Sequence, residues 1–176
     1  MRHLRAIGAL PAVATVAVPL TIVLLTEAVE VGFGLPAGLA WLPVAAGAAL
    51  VGAGLFLMYR TISLFARVGD GTLAPWDPPR RFVAEGPYRH VRNPMISGVM
   101  AILLGEALIL GSPALLAWFT AFAAVNAAWM PLVEEPGLVR RFGSEYEDYR
   151  RAVPAWVPRR TPYSSPDTAG DPFRTT

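Results

Sequence analysis

The sequence predicts an all-α polytopic membrane protein: about four transmembrane helices, the last two joined as a hairpin, followed by a cytosolic amphipathic helix. Three observations predict this class. First, 54% of residues are hydrophobic and only 16% are charged, where a soluble domain carries about 25%. Second, uncharged apolar runs of about 20 residues recur along the chain. Third, the basic residues are all Arg and flank those runs. They do not form a basic stripe with interleaved aromatics, so no nucleic-acid partner is expected. There are no cysteines, which excludes disulfides, a thiolate nucleophile and Cys-ligated metal. The two histidines, His3 and His90, are far apart, so no His-rich metal site is expected.

Each element follows in order. Residues 1–5 are a short basic start. Residues 6–26 form the first apolar run, about 30 Å long as a helix. It exceeds a signal-peptide core, and Glu27 stands where a small-residue cleavage site would be needed, so it reads as an anchor. Residues 27–38 connect it, without Arg, to a second span over 39–59. There Gly47, Ala48, Gly52 and Gly54 suit close helix packing. Residues 60–92 read as a polar loop carrying Gly69-Asp70-Gly71-Thr72 and Pro75-Trp76-Asp77-Pro78-Pro79. Trp76 and Phe82 suit the headgroup level.

The third span is 95–110 and the fourth 114–133, parted only by Gly111-Ser112-Pro113, which makes a tight antiparallel hairpin. Residues 134–151 read as one amphipathic helix with Leu138, Phe142, Tyr146 and Tyr149 on its apolar face, continued by Val153. Residues 1–160 form a single domain, and the Pro/Ser/Thr/Gly-rich residues 161–176 read as a disordered tail. Arg residues occur at the N-terminus, in the middle loop and in the C-terminal region, and are absent from 27–38 and 111–113. By the positive-inside rule both termini and the middle loop are cytoplasmic, in a cell (inner) membrane.

The hairpin brings distant residues together. With the turn centred on Ser112, residues whose numbers sum to about 224 share a depth, within one helical turn. Asn126 then falls near Gly98, and Glu134 and Glu135 fall near His90 and Arg89. Tyr88, Arg89, His90, Arg92 and Asn93 therefore meet the Glu pair at the cytoplasmic mouth, under the amphipathic helix as a lid. An Arg fork there suits a carboxylate or phosphate, and Glu suits hydroxyls or an amine. The same residue types also anchor helix ends at headgroups, so the cluster alone supports a structural reading equally well. Glu106, the one charge inside the hairpin, lies near its outer end and reads as reaching water or a polar partner there. Asn126 reads as an interhelical hydrogen-bond group.

Four motifs carry a resemblance. Gly86-Pro87-Tyr88-Arg89-His90-Val91-Arg92-Asn93-Pro94-Met95 resembles the G-P-Y-x-x-x-R-H-P-x-Y signature of the isoprenylcysteine carboxyl methyltransferases and related phospholipid methyltransferases. Glu134-Glu135-Pro136-Gly137-Leu138 is similar to their E-E-x-x-L element. The run from Phe142 to Tyr149 resembles F-G-x-x-Y-x-x-Y, and Val153 to Pro158 resembles the V-P-x-x-x-P ending. The resemblance implies a membrane-embedded methyltransferase using S-adenosylmethionine. Its cofactor would lie at the cytosolic mouth, and its acceptor would enter from the lipid side. By position, the resemblance puts Tyr88, Arg92, Asn93, Pro94, Gly98, Glu134 and Glu135 on the cofactor side, with Tyr146 and Tyr149 in the closing segment. Arg92 and Glu135 are the candidate catalytic residues: Arg92 for the cofactor carboxylate or the acceptor, and Glu135 (or His90) as base for an amine acceptor.

Two positions depart from the pattern. Asn93 replaces a His, and Ile96 replaces a Tyr. Asn hydrogen-bonds but does not titrate; Ile offers no aromatic face to a sulfonium. The expected activity is methyl transfer to a lipophilic small molecule or lipid, with membrane lipids as surroundings. The alternative is a non-catalytic membrane protein of the same fold, binding a lipid or a partner complex. A membrane reductase is a weaker reading, since no Gly-rich dinucleotide fingerprint is present.

Overall fold

The computed structural model describes residues 11–27, 29–36, 38–68, 82 and 84–164. The basic start at 1–5, the turn-rich part of the middle loop at 69–79 and the chain beyond 164 lie outside the described residues. Among those described, every regular element is helical: α1 (Val13–Thr26), α2 (Trp41–Val68), α3 (Pro94–Leu110), α4 (Pro113–Trp129), α5 (Glu135–Phe142) and α6 (Ser144–Ala152). The stretches Trp41–Arg67 and Pro113–Phe142 are long and apolar enough to cross a membrane, with mean hydropathy of 1.9 and 1.5. Helices α1 and α3 are shorter and apolar.

Two glycine pairs set the central packing. A Cβ on Gly54 would lie 2.5 Å from the Gly98 carbonyl oxygen, and one on Gly105 would lie 2.6 Å from that of Gly47. Helices α2 and α3 thus run antiparallel with their backbones touching at two levels, as small residues permit where lipid gives no hydrophobic drive. Gly52, also expected to pack, has nothing within 4 Å of a built Cβ. Val99, Ile102, Leu103 and Ala107 of α3 complete the buried core with Leu115 of α4.

Helix α2 runs to Val68, past the end expected at Tyr59. No Gly or Pro interrupts residues 60–68, and the buried pair Thr61 and Phe65, one turn apart, keeps a face packed. The start of the expected polar loop is therefore helical.

The hairpin turn is as short as expected. Gly111 ends α3 with φ of 57°, its N–H bonded to the Ala107 carbonyl. Ser112 then caps α4 by accepting from the Leu115 N–H, and Pro113 follows at the first helical position. The connection after α1 packs on this turn: the Glu30 N–H donates to the Leu110 carbonyl at 3.0 Å.

Two helix segments are widened to a π-type turn, at Val13–Ala17 and Met130–Glu134. Proline explains both, since Pro19 and Pro136 have no N–H for carbonyls one turn earlier. In the first, the Trp118 indole donates to the Ala14 carbonyl instead, at 3.3 Å, tying α4 to α1. The second carries α4 without a break into α5, so Pro113–Phe142 is one rod.

The amphipathic helix expected over 134–151 is two helices. Gly143 divides it, with φ of 57° and ψ of −136°, a conformation open to glycine alone at low cost. The predicted apolar face is nonetheless the buried one. Tyr146, Tyr149 and Val153 form a core cluster with Tyr163, flanked by Phe82, Leu138 and Phe142.

Candidate active site

The site begins with the turn Gly86–Arg89, entered through Gly86 at φ of 52° and Pro87. It places the Tyr88 ring edge-on to Phe65 of α2, with centroids 5.8 Å apart. Val91 is then fully buried and Pro94 starts α3. Arg92 and Asn93, between them, are held by the end of the chain.

That holding segment is a strap over 154–164. The Arg92 N–H donates to the Pro154 carbonyl at 2.9 Å, and the Asn93 N–H and Nδ2 both donate to the Ala155 carbonyl at 3.3 Å. The Arg159 N–H returns to the His90 carbonyl at 2.9 Å. His90 Nδ1 lies 2.9 Å from the Arg159 carbonyl, a partner that requires this nitrogen to carry the hydrogen. Arg89 and Tyr163 close the strap reciprocally, Tyr163 N–H to Arg89 carbonyl at 2.8 Å and Arg89 Nε to Tyr163 carbonyl at 2.6 Å. Residues 161–164, expected to open a disordered tail, are thus fixed to the site, because Arg89 gives their backbone partners and Tyr163 buries its ring.

At the centre lies Glu135, 5% exposed. Its Oε1 is 2.7 Å from Arg92 Nη1, and its Oε2 is 3.0 Å from Arg150 Nε. The hairpin register anticipated the first contact to within one turn. The Arg92 Nη1 is not aligned for a hydrogen bond in this ion pair, and Arg92 Nε is buried with no partner among the described residues. The Ser97 hydroxyl, one turn into α3, is in the same condition.

The tyrosines surround this cluster. Burial pushes the Tyr146 phenol up to about 12, helped by Glu135 and opposed by Arg92. Tyr149 is raised further by burial and by Tyr146, against Arg92. Its hydroxyl donates to the Tyr88 carbonyl at 2.7 Å. Tyr88 is raised by burial first, then by Tyr149 and by the Glu134 carboxylate. Glu134 itself is exposed.

Tyr88, Arg92, Asn93, Pro94, Glu134 and Glu135 are therefore brought together. Gly98 is not with them; it faces Gly54 in the α2–α3 contact. Asn126, expected to bond between helices, donates within its own helix to the Phe122 carbonyl at 2.8 Å. Glu106 is half-buried, and its Oε2 has no hydrogen-bond partner among the described residues. Arg150, Phe82 and Tyr163 are what sequence reasoning missed. Arg150 follows Tyr149 directly, but the break at Gly143 hides its phase relative to Glu135.

Chemically, the mouth offers an Arg with a buried donor unpartnered among the described residues, a carboxylate held between two guanidinium groups, and the exposed carboxylate of Glu134. This suits a ligand with a carboxylate and cationic or hydroxyl groups. The phospholipid methyltransferase family matches residues 42–145. Methanethiol S-methyltransferase 2 of Bradyrhizobium diazoefficiens is 36% identical over 75 residues, which cover 41% of this chain and 27% of that protein. The chain therefore spans well under two thirds of the relative it matches. No solved structure matches the chain.

Proposed function

Because the chain belongs to the phospholipid methyltransferase family, we propose that it transfers a methyl group from S-adenosylmethionine to a small lipophilic or lipid acceptor at the membrane surface. The observation that carries this reading is the buried Arg92–Glu135 pair at the hairpin mouth, with Arg92 Nε left unpartnered. A buried unsatisfied guanidinium donor costs about 1–3 kcal/mol, and a ligand carboxylate would satisfy it. Glu134, exposed next to Glu135 in the chain, suits the amino or hydroxyl groups of the same ligand.

S-adenosylmethionine supplies a methyl on a sulfonium, an already activated leaving group, so an acceptor lone pair can form the new bond as the sulfur–methyl bond breaks. The protein's tasks are alignment and exclusion of water. The strap and α6 close the mouth on one side. Both Glu135 oxygens are taken by guanidinium groups, so Glu135 serves to hold Arg92 and not as a proton acceptor. Asn93 fastens the strap through Ala155, a task that needs a donor and no titration. The relative's name points to methanethiol, so small thiols belong among the acceptors to test, beside membrane lipids.

Helices α1 and α3 are read as spans with α2 and α4, giving four. Both ends of the described chain and the mouth lie on the cytoplasmic side, by Arg placement. The test is calorimetry in detergent with S-adenosylmethionine, wild type against Arg92→Ala and Glu134→Ala. Binding by the wild type and loss in both variants is expected. A folded wild type that does not bind overturns the reading in favour of a non-catalytic protein of the same fold. Labelled methyl transfer to lipids and to small thiols then identifies the acceptor class.

A further inference from the structure

We infer that Arg150 is a positioning residue for the ligand carboxylate: by taking half of the Glu135 charge, it leaves Arg92 able to bind an anion. The inference rests on the S-adenosylmethionine reading above. Glu135 gives one oxygen to each guanidinium, at 2.7 Å to Arg92 and 3.0 Å to Arg150. The three groups together carry one net positive charge. Without Arg150, Arg92 and Glu135 form a closed neutral pair, and an incoming carboxylate must compete with Glu135 for the same fork. With Arg150 present, the Arg92–Glu135–Arg150 cluster is cationic and the ligand carboxylate completes its neutralisation.

The exposures fit this division. The Arg92 side chain is 13% exposed and carries the unpartnered Nε, while the Arg150 side chain is 48% exposed. Arg92 is thus the inner, ligand-facing arm, and Arg150 the outer counter-charge. Arg150 is not what holds its helix in place. Tyr146, Tyr149 and Val153 bury α6 against Tyr163 and Phe82, and Tyr149 adds the bond to the Tyr88 carbonyl. Removing the Arg150 charge should therefore alter the electrostatics of Glu135 and leave the lid folded. The adjacent Arg151 supplies a control, since it is exposed and, among the described residues, pairs with Asp148 in its own helix.

The experiment uses the full chain in detergent and calorimetry with two probes, S-adenosylmethionine and its decarboxylated form. Arg150→Met should weaken S-adenosylmethionine about tenfold and leave the decarboxylated probe unweakened. Arg150→Lys should recover most of the loss, and Arg151→Met should bind both probes as wild type does. Thermal unfolding checks that Arg150→Met keeps its fold; if it does not, Arg150→Gln takes its place in the same comparison. Equal weakening of both probes, no weakening of either, or an equal loss in Arg151→Met would overturn the inference while the cofactor reading stands. A wild type that binds neither probe overturns both.

Discussion

The Tyr149 hydroxyl donates to the backbone carbonyl of Tyr88 at 2.7 Å, joining the last helix of the fold to the turn that opens the site. The ring of Tyr149 also meets Phe82 and Tyr163 edge-on. One residue thereby fixes the middle loop, the strap and α6 together. Tyr149→Phe keeps the rings packed and strands one carbonyl, a loss of about 1–2 kcal/mol. Tyr149→Ala empties the cluster and costs about 3–5 kcal/mol. Thermal unfolding in detergent should order the two variants this way; equal effects would show that the hydroxyl, and not the ring, holds the lid.

Asn93 donates its side-chain amide to the Ala155 carbonyl. His can make that bond from a ring N–H, whereas Leu cannot. Asn93→His should leave the strap closed, and Asn93→Leu should loosen it by about 1 kcal/mol. Hydrogen exchange at the Arg92 and Asn93 amides, both bonded to the strap, reads the difference directly. Faster exchange in Asn93→His than in Asn93→Leu would contradict this assignment.

Gly54 and Gly52 lie two residues apart on α2 with opposite surroundings. A methyl on Gly54 meets the Gly98 carbonyl, but one on Gly52 meets nothing within 4 Å. Gly54→Ala should force α2 and α3 apart and destabilise by about 1–3 kcal/mol. Gly52→Ala should stay within about 0.5 kcal/mol of wild type. Detergent unfolding of the two variants side by side checks it.

Alkaline stability follows from the buried phenols. Tyr146 sits near 12 when folded, against about 10 in the unfolded chain. Between those values the folded state binds more protons than the unfolded one, so stability falls as pH rises. Tyr88 and Tyr149, raised in the same direction, add to the fall. Below pH about 10 these groups contribute no slope. Denaturant midpoints measured from pH 8 to 11 should stay flat and then drop, and Tyr146→Phe should make the drop shallower.

Much of this arrangement is legible in the sequence because it follows from periodicity and one short turn. Gly111-Ser112-Pro113 cannot join anything but antiparallel helices, and that register already puts Glu135 opposite the Arg92 region. The apolar face through Leu138, Phe142, Tyr146 and Tyr149 survives the break at Gly143, because each half keeps its own amphipathic phase. What stays hidden depends on backbone pairing. The strap is held by carbonyls and N–H groups of residues such as Pro154, Ala155 and Arg159, which side-chain patterns do not encode. Tyr163 looks like part of a polar tail until Arg89 is known to hold its carbonyl. Gly98, placed with the cofactor by analogy of position, faces Gly54, because small residues serve close packing and ligand approach equally well.

The widened turn at Met130–Glu134 decides which glutamate does what. A π-type turn holds about one residue more than a regular helical turn, which sets everything after it back by about 100° around the axis relative to an unbroken α-helix. Glu134 and Glu135 are themselves about 100° apart. Were the same residues wound as a regular helix, Glu134 would take the Arg92 direction and Glu135 would turn about 100° past it. The proline at 136, which removes the N–H of an ordinary turn, therefore acts as a phase setting: it selects Glu135 for the buried guanidinium cluster and leaves Glu134 facing outward. A deletion of one residue within 130–133 would restore a regular turn and still leave Glu135 in that cluster.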